Sequence, residues 1–169
     1  MKQRFGTIVA LLMWASACAP ADFGPPQVGD PGPEFQAVSL EDNQTVALAD
    51  YAGQTILVNL WATWCAPCRI ETPYLQSLYE ENRDRGLMVV GVSVDSPSAL
   101  DQVGGFLEEM GVTYDILLDP DMVSTDVFAA IGLPASFIID AEGIVRFTRL
   151  GPIAEGDPAF LEVLEQTLN

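Results

Sequence analysis

The feature that most constrains the fold is a pair of cysteines, Cys65 and Cys68, that stands between two different apolar patterns. The residues before the pair, 55–60, form an almost continuous apolar run, which is typical of a central parallel strand covered on both faces. The residues after the pair follow a helical pattern that places one apolar face inward, formed by Tyr74, Leu75, Leu78 and Tyr79. The pair therefore lies where a buried strand ends and a helix begins.

This position decides the chemistry of the two cysteines. A thiol at a helix N-terminus is stabilised as the thiolate by the helix dipole and by the unpaired backbone N–H groups, so Cys65 is the predicted nucleophile. Cysteines three residues apart across a first helical turn share one face and can close a disulfide without backbone movement. The sequence thus predicts a redox centre in which Cys65 and Cys68 cycle between dithiol and disulfide.

A metal site and a structural disulfide are the other uses of a Cys-x-x-Cys pair. A closed zinc site needs four ligands, whereas the chain has no histidine and only one further cysteine, Cys18. A structural disulfide usually closes a longer loop, and this one would enclose only Ala66 and Pro67. We therefore expect neither a metal nor another cofactor.

The N-terminus predicts export. Two basic residues near the start, an apolar run over 8–14 and the small residues at 15–17 form a secretory signal over residues 1–17, which is too short for a lasting transmembrane helix. Small residues before Cys18 resemble the bacterial lipobox, so we expect Cys18 to be lipidated and the protein to be a membrane-anchored lipoprotein of the periplasm or another extracytoplasmic space. Because Ala15 stands where that pattern usually has leucine, plain cleavage after Ala17 is the alternative.

After the signal, residues 18–33 are rich in Ala, Pro and Gly and predict a tether, followed by one domain over 34–169. A chain of 169 residues, 49% of them apolar, is long enough for one domain with its own core. It carries 24 acidic and 7 basic residues, for a net charge of −17. This charge disfavours nucleic acid as a partner, because phosphate backbones attract Lys and Arg.

The remaining patterns predict a mixed α/β sheet with helices on both faces. The first predicted elements are a hairpin over 35–40 and 45–48 and a buried strand over 87–93. A helix opened by Ser96 and Pro97 follows, with an inward stripe of Leu100, Val103, Leu107 and Met110. The remaining elements are a short strand over 116–118, a short helix over 123–131 ending at Gly132, a second hairpin over 135–140 and 144–150, and a last helix opened by Asp157 and Pro158.

This order, together with two motifs, resembles the TlpA/ResA-like thiol–disulfide oxidoreductases of the thioredoxin superfamily. The motifs are Trp64-Cys65-Ala66-Pro67-Cys68 and Gly132-Leu133-Pro134-Ala135-Ser136-Phe137. The likeness covers residues 33–168 and implies an α/β, thioredoxin-like fold with a mixed central sheet, an N-terminal β-hairpin extension and an inserted short helix. It also implies a cis peptide before Pro134, beside the cysteines, where the backbone near Leu133 can pair with a bound peptide. A trans proline in a turn is the alternative.

Glu71 is the third candidate for the chemistry. It follows Cys68 by three residues, so both side chains lie on one face of the helix, and an acid below the disulfide can carry protons for the buried sulfur. The family's Cys-x-x-Glu-x-Pro spacing implies such an acid–base role, with a pKa raised by burial. A surface carboxylate favoured by the helix dipole is the alternative. Asn59 stands where thioredoxin has a buried acid; since an amide cannot titrate, the proton task would pass to Glu71. Asn59 itself is expected to have a structural role, in which it satisfies backbone groups inside the sheet.

Four neighbours of these residues are predicted to support the site. Trp64 is expected to shield the disulfide from solvent, and Trp61 and Thr63 to act as scaffold. Arg69 would add positive charge near a thiolate if its side chain turned inward, whereas on an exposed helix it would only be solvated.

The resemblance implies an exported reductase of protein disulfides of the cytochrome c maturation type. Its partners would be a disulfide-containing exported protein such as apocytochrome c, a membrane electron-donor protein, and the membrane itself through the N-terminal lipid. A thiol oxidase or isomerase would share most of these residues. A peroxiredoxin-like peroxidase would need a Pro-x-x-x-Thr-x-x-Cys context, which is absent before Cys65. A copper-delivery module would hold Cu(I) between the two thiolates, but related copper proteins add a histidine, which this chain lacks.

Overall fold

The sheet is built around the apolar run that precedes the cysteines. The computed structural model describes residues 24–168, in which the strands are β1 (Gln36–Ser39), β2 (Thr45–Ala47), β3 (Thr55–Trp61), β4 (Leu87–Ser93), β5 (Asp115–Leu118), β6 (Ala135–Ile139) and β7 (Val145–Leu150). They form one sheet in the order β2-β1-β5-β4-β3-β6-β7. The three strands β3, β4 and β5 are parallel, and every other pairing is antiparallel. The sheet is therefore mixed, as the sequence predicts.

In the described part of the chain, four α-helices cover this sheet, namely α1 (Ala66–Asn82), α2 (Leu100–Met110), α3 (Val123–Val127) and α4 (Pro158–Thr167). Side chains of α1, α2 and α4 share one apolar cluster with one face of the sheet, centred on Leu57 and Val89. The other face packs against the N-terminal segment, the 3-10 helix Leu48–Tyr51 and Phe128. Because both faces are covered, all seven residues of β3 are buried. The elements therefore form three layers, with β3 in the middle.

The element order and both hairpins are confirmed, but two predicted helix boundaries are wrong. The helix after Ser96 begins as a 3-10 turn, Pro97–Ala99, and α2 starts only at Leu100, because the Ser96 hydroxyl meets Ser98 Oγ at 3.0 Å and does not cap the helix. The fully inward residues of α2 are Val103 and Phe106. Of the predicted stripe, Leu100, Leu107 and Met110 are only half-buried.

The short helix α3 ends at Val127, four residues before the predicted end at Ile131. Ala129 has φ 47°, a left-handed conformation that a continuing helix cannot contain. Phe128 is fully buried there, and its ring packs on Phe35 and Phe137. The packing of this ring therefore takes precedence over the helical pattern.

The end of the predicted tether is held against the second hairpin. Gly29 N–H donates to Val145 O at 2.8 Å, Val145 N–H donates to Asp30 O at 2.9 Å, and Gly32 N–H donates to Gly143 O at 2.8 Å. Ordered chain thus begins before residue 34, because these backbone groups find partners beside β7. The predicted signal peptide and Cys18 lie outside the described residues. Between residues 24 and 168, none of the helices has the length and apolarity needed to cross a bilayer.

One glycine of β4 marks a close approach between the sheet and the side chains above it. A Cβ on Gly91 would lie 2.8 Å from Ile116 Cδ1 and 3.1 Å from Trp61 Nε1. Such distances are shorter than side-chain packing tolerates, so only glycine fits here without a shift.

Gly91→Ala is therefore expected to lower the free energy of unfolding by about 1–3 kcal/mol, because the methyl group overpacks a buried site. Urea denaturation followed by circular dichroism measures this change. The matched control is Gly105→Ala in α2, where a Cβ meets no atom within 4 Å. Alanine is the better helix former by about 1 kcal/mol, so the control should be as stable as the parent or more so. Equal losses in both variants would contradict the overpacking.

Candidate active site

The two cysteines lie at the start of α1, just beyond the buried end of β3. Cys65 is the N-cap residue, and Ala66 and Pro67 form the exposed first turn, where proline is well tolerated because its missing N–H is not needed. Cys65 and Cys68 are joined by a disulfide, with their Cα atoms 5.3 Å apart. Cys68 N–H donates to Cys65 Sγ at 3.2 Å. The first turn of α1 thus directs a backbone donor at the sulfur predicted to be the nucleophile.

Both sulfur-bearing side chains are largely covered. Cys65 is 5% exposed and Cys68 1% exposed. Cys65 is therefore the more exposed residue of the pair, and Cys68 is the more deeply buried one.

The loop before the cysteines is held by a buried carboxylate that sequence reasoning missed. Thr63 donates to Asp95 twice, from its backbone N–H at 2.9 Å and from its hydroxyl at 2.6 Å. Ser93 Oγ also donates to Asp95, at 2.9 Å. Asp95 is fully buried just after β4, the parallel neighbour of β3. An Asp two residues after a buried strand was the available signal, and the scaffold role predicted for Thr63 is compatible with these two hydrogen bonds.

Glu71 lies inside the protein, and its carboxylate is fixed by two donors. It is 2% exposed. Ile153 N–H donates to Oε1 at 2.7 Å, and Asn59 Nδ2 donates to Oε2 at 3.2 Å. Glu71 is therefore not the surface carboxylate of the alternative interpretation, and Asn59 meets it directly.

Burial raises the pKa of Glu71 to about 7, because removal from water penalises the charged form. The hydrogen bonds from Ile153 and Asn59 and the positive charge of Arg149 act in the opposite direction and are outweighed. This is the direction that the sequence predicts, and it makes Glu71 a group that gains and loses a proton near neutral pH.

The loop before β6 meets the cysteine loop at the same end of the sheet. The Leu133–Pro134 peptide is cis, as the resemblance implies, and Pro134 is buried. Leu60 of β3 pairs with Ala135 of β6, so Pro134 comes level with the end of β3, from which the cysteine loop departs. Leu133 is half-buried against the core.

A second polar residue that sequence reasoning missed is Ser136. Asn59 and Ser136 are register partners on β3 and β6, and Asn59 Nδ2 donates to Ser136 Oγ at 2.9 Å. Ser136 is fully buried. The signal for it was a polar residue inside an apolar strand, which becomes informative only once the β3–β6 register is known.

The aromatic and basic neighbours are placed unequally around the disulfide. Trp64 is 68% exposed, so its shielding role stays a prediction. Trp61 is buried against Phe106, with ring centroids 4.7 Å apart. Arg69 turns toward α2, where its guanidinium lies 4.8 Å from the centre of the Phe106 ring and pairs with Glu109 at 2.8 Å. The positive charge of Arg69 is thus used in a surface pair with α2.

Within the described range 24–168, no three His, Cys, Asp or Glu side chains are grouped so as to hold a metal ion. The chemistry that the described groups can perform is thiol–disulfide exchange at Cys65 and Cys68. A proton-carrier role for Glu71, three residues after Cys68 on the same helix, stays a prediction.

Comparison with known proteins places the chain among thiol–disulfide exchange proteins. Residues 28–148 match the AhpC/TSA family. The chain is 37% identical over 153 residues to the thiol:disulfide interchange protein DsbE of Allochromatium vinosum, covering 88% of this chain and 81% of that protein. It is 34% identical over 123 residues to the thiol-disulfide oxidoreductase ResA of Oceanobacillus iheyensis, covering 71% and 63%, so it spans less than two thirds of that relative.

The fold is shared with solved structures. The crystal structure of a thiol:disulfide interchange protein of the thioredoxin family from Chlorobium tepidum matches with a TM-score of 0.68 and 28% identity, covering 88% of this chain and all of that one (100%). The expected thioredoxin-like fold is thereby confirmed.

The raised pKa of Glu71 makes stability depend on pH. The native carboxyl keeps its proton up to about pH 7, whereas the unfolded carboxyl loses it near 4.5. The native state therefore binds more protons between these values, and the contribution of Glu71 to stability falls by about 3 kcal/mol as the pH rises through this window, then stays level. We expect Glu71→Gln, measured by urea denaturation of the oxidised protein, to remove this fall.

The matched control is Glu81→Gln, since Glu81 is an exposed carboxylate on the same helix. Its profile between pH 4.5 and 7 should parallel that of the parent. A Glu71→Gln profile that also parallels the parent would show that Glu71 ionises at its ordinary pH.

Proposed function

The chain belongs to the AhpC/TSA family, with thiol–disulfide oxidoreductases of the ResA and DsbE type as its relatives, and on that basis we propose that it reduces protein disulfides outside the cytoplasm. The observation that carries the proposal is the Cys65–Cys68 disulfide at a helix N-terminus, with the buried carboxyl of Glu71 on the same helix. The first feature supplies a nucleophilic thiolate and the second a proton carrier for the inner sulfur.

The reaction begins from the reduced protein. The Cys65 thiolate attacks one sulfur of a substrate disulfide, which forms a mixed disulfide and releases the other substrate sulfur as a thiolate. The Cys68 thiol then gives its proton to the Glu71 carboxylate, and the resulting Cys68 thiolate attacks the Cys65 sulfur. The second substrate thiolate leaves, and two electrons have passed from this protein to its substrate.

The return half of the cycle needs a dithiol partner protein. One partner thiolate attacks Cys65 Sγ, which forms a mixed disulfide and releases Cys68 as a thiolate. The second partner thiolate attacks the partner sulfur of this mixed disulfide and releases Cys65, so the partner becomes a disulfide and two electrons have passed to this protein. As Cys68 becomes a thiol again it takes a proton, which Glu71 can supply because its pKa is about 7. A group of this pKa serves both halves of the cycle near neutral pH.

The predicted leader and the relatives support a location outside the cytoplasm and an exported protein as the substrate. A secretory signal over 1–17 and lipidation at Cys18 would place the domain on a membrane surface facing an oxidising space. The substrate would be an exported protein with an oxidised cysteine pair, such as apocytochrome c, and the electron donor a membrane protein. In such a space a reductant acts on proteins whose cysteines must be free for later chemistry.

The two cysteines should behave differently toward a substrate disulfide. Cys68→Ser is expected to accumulate a mixed disulfide at Cys65 with an oxidised Cys-x-x-Cys peptide, because the resolving thiol is missing. Cys65→Ser should form little adduct, since the remaining cysteine, Cys68, is only 1% exposed as a residue. Non-reducing mass spectrometry with peptide mapping locates the adduct.

Both proteins carry Cys18→Ala, so that this third thiol cannot react. Addition of dithiothreitol should release the peptide. A predominant adduct on Cys68 would reverse the assignment of the nucleophile.

The direction of electron flow is tested by the equilibrium reduction potential of the Cys65–Cys68 pair, titrated against dithiothreitol or glutathione. A reductase is expected to have a potential near that of thioredoxin, about −270 mV. A value near that of DsbA, about −120 mV, would make the protein an oxidant of exported thiols and overturn the proposal.

A further inference from the structure

The polar network below the disulfide contains two residues to which the reaction above gives no role. Asn59 is 2% exposed and Ser136 is fully buried. A single atom, Asn59 Nδ2, donates to Glu71 Oε2 at 3.2 Å and to Ser136 Oγ at 2.9 Å. One amide nitrogen therefore joins the carboxyl group to a hydroxyl across two paired strands.

The hydrogen bonds of this network cannot stay the same when Glu71 gains or loses its proton. The carboxylate can accept from both of its present donors, Ile153 N–H and Asn59 Nδ2. The protonated carboxyl becomes a donor itself and needs an acceptor, which a backbone N–H cannot be. A buried donor without a partner costs free energy, so one member of the network has to change its role.

Asn59 can make this change without moving its backbone. A side-chain amide has a donor end and an acceptor end that occupy nearly the same volume, so a half-turn about its last torsion exchanges Nδ2 for Oδ1. The amide oxygen would then accept from the Glu71 carboxylic acid and from Ser136. A serine hydroxyl is both donor and acceptor, so Ser136 can reverse its own bond in step.

We propose that Asn59 and Ser136 are positioning residues for proton transfer at Glu71, in which the Asn59 amide donates to the carboxylate and turns to accept from the carboxylic acid, while the Ser136 hydroxyl reverses with it. This inference rests on the proposed function, because it concerns the proton that Glu71 takes from the Cys68 thiol. In that step an S–H bond breaks and an O–H bond forms, and no electrons pass through the network.

The other charged or titratable groups around Glu71 cannot make this exchange. Arg149 of β7 lowers the pKa of Glu71, but a guanidinium only donates, and it pairs with Asp157 at 2.8 Å. Tyr114, before β5, is buried, which raises the pKa of its phenol, and the hydrogen-bond partner of its side chain is Thr72 and not Glu71. Cys68 on α1 is the proton donor of the reaction itself. Asn59 is thus the partner of the carboxyl that can both donate and accept.

The test follows the titration of Glu71 in the oxidised protein by carboxyl ¹³C NMR. Asn59→Leu removes a hydrogen bond that is stronger to the charged carboxylate than to the neutral acid, so the inflection should rise by about one pH unit or more. The side-chain ¹⁵N signal of Asn59 in the parent should move with the same inflection, because the amide changes partners as Glu71 titrates.

Ser136 gives a second, independent pair of variants. In Ser136→Ala, one N–H of the Asn59 side-chain amide loses its acceptor. This loss favours the amide orientation in which Oδ1 faces Glu71, and that orientation favours the protonated form of the Glu71 carboxyl. The inflection should rise, by less than in Asn59→Leu. Ser136→Thr keeps the hydroxyl and should restore the parent inflection. This pair keeps the proposal testable if Asn59→Leu does not fold.

Two matched controls separate this role from a loss of packing. Ser124 is a fully buried serine in α3 and Asn82 a buried asparagine in α1, and neither bonds Glu71. Ser124→Ala and Asn82→Leu should leave the Glu71 inflection where it is in the parent.

An unchanged inflection in both Asn59→Leu and Ser136→Ala, or an Asn59 signal that stays constant while Glu71 titrates, would overturn the proposal. The titration uses no substrate, so its result is distinct from an oxidising potential or a missing adduct, which would overturn the proposed function instead.

Discussion

The junction between β3 and α1 is the constraint on which the rest of the site depends. β3 is buried on both faces, so its end is fixed relative to the sheet, and the helix that follows starts after four intervening residues, at Ala66. Asp95 holds the intervening loop through Thr63, from the end of the neighbouring parallel strand. Parallel strands present their carboxyl ends at one edge, so this arrangement brings the cysteines and their supporting residues together.

The buried carboxyl of Glu71 shows what this rigidity makes possible. Removing a carboxylate from water is costly, and a nearby cation would normally offset the cost and lower the pKa. Arg149 is the cation that acts on Glu71, but it is already paired with Asp157, so its attraction is divided. Burial therefore dominates, and the acid is held close to the point at which it exchanges its proton at neutral pH.

How far the sequence predicts this site depends on how local each signal is. The last helix was predictable because Asp157 caps it directly, accepting from Ala159 N–H and Phe160 N–H. The end of α3 was not, because it is set by the burial of Phe128 among rings distant in the chain. Asp95 and Ser136 were missed because their hydrogen-bond partners, Thr63 and Asn59, lie 32 and 77 residues away in the sequence.

The place of Glu71 was predictable from its three-residue spacing to Cys68, but its partners were not. Ile153 lies 82 residues away in sequence and supplies a backbone N–H, which leaves no trace in the residue types.

The stabilisation of a Cys65 thiolate likewise depends on the backbone. Arg69, the cation next to the pair in sequence, is turned toward Glu109 and Phe106. What remains at the sulfur is the first turn of α1, with Cys68 N–H 3.2 Å from Cys65 Sγ. A backbone donor and a helix dipole do not depend on a side-chain rotamer. In the proposed cycle the thiolate of Cys65 would therefore be stabilised by the helix, and the inner sulfur would exchange its proton with Glu71.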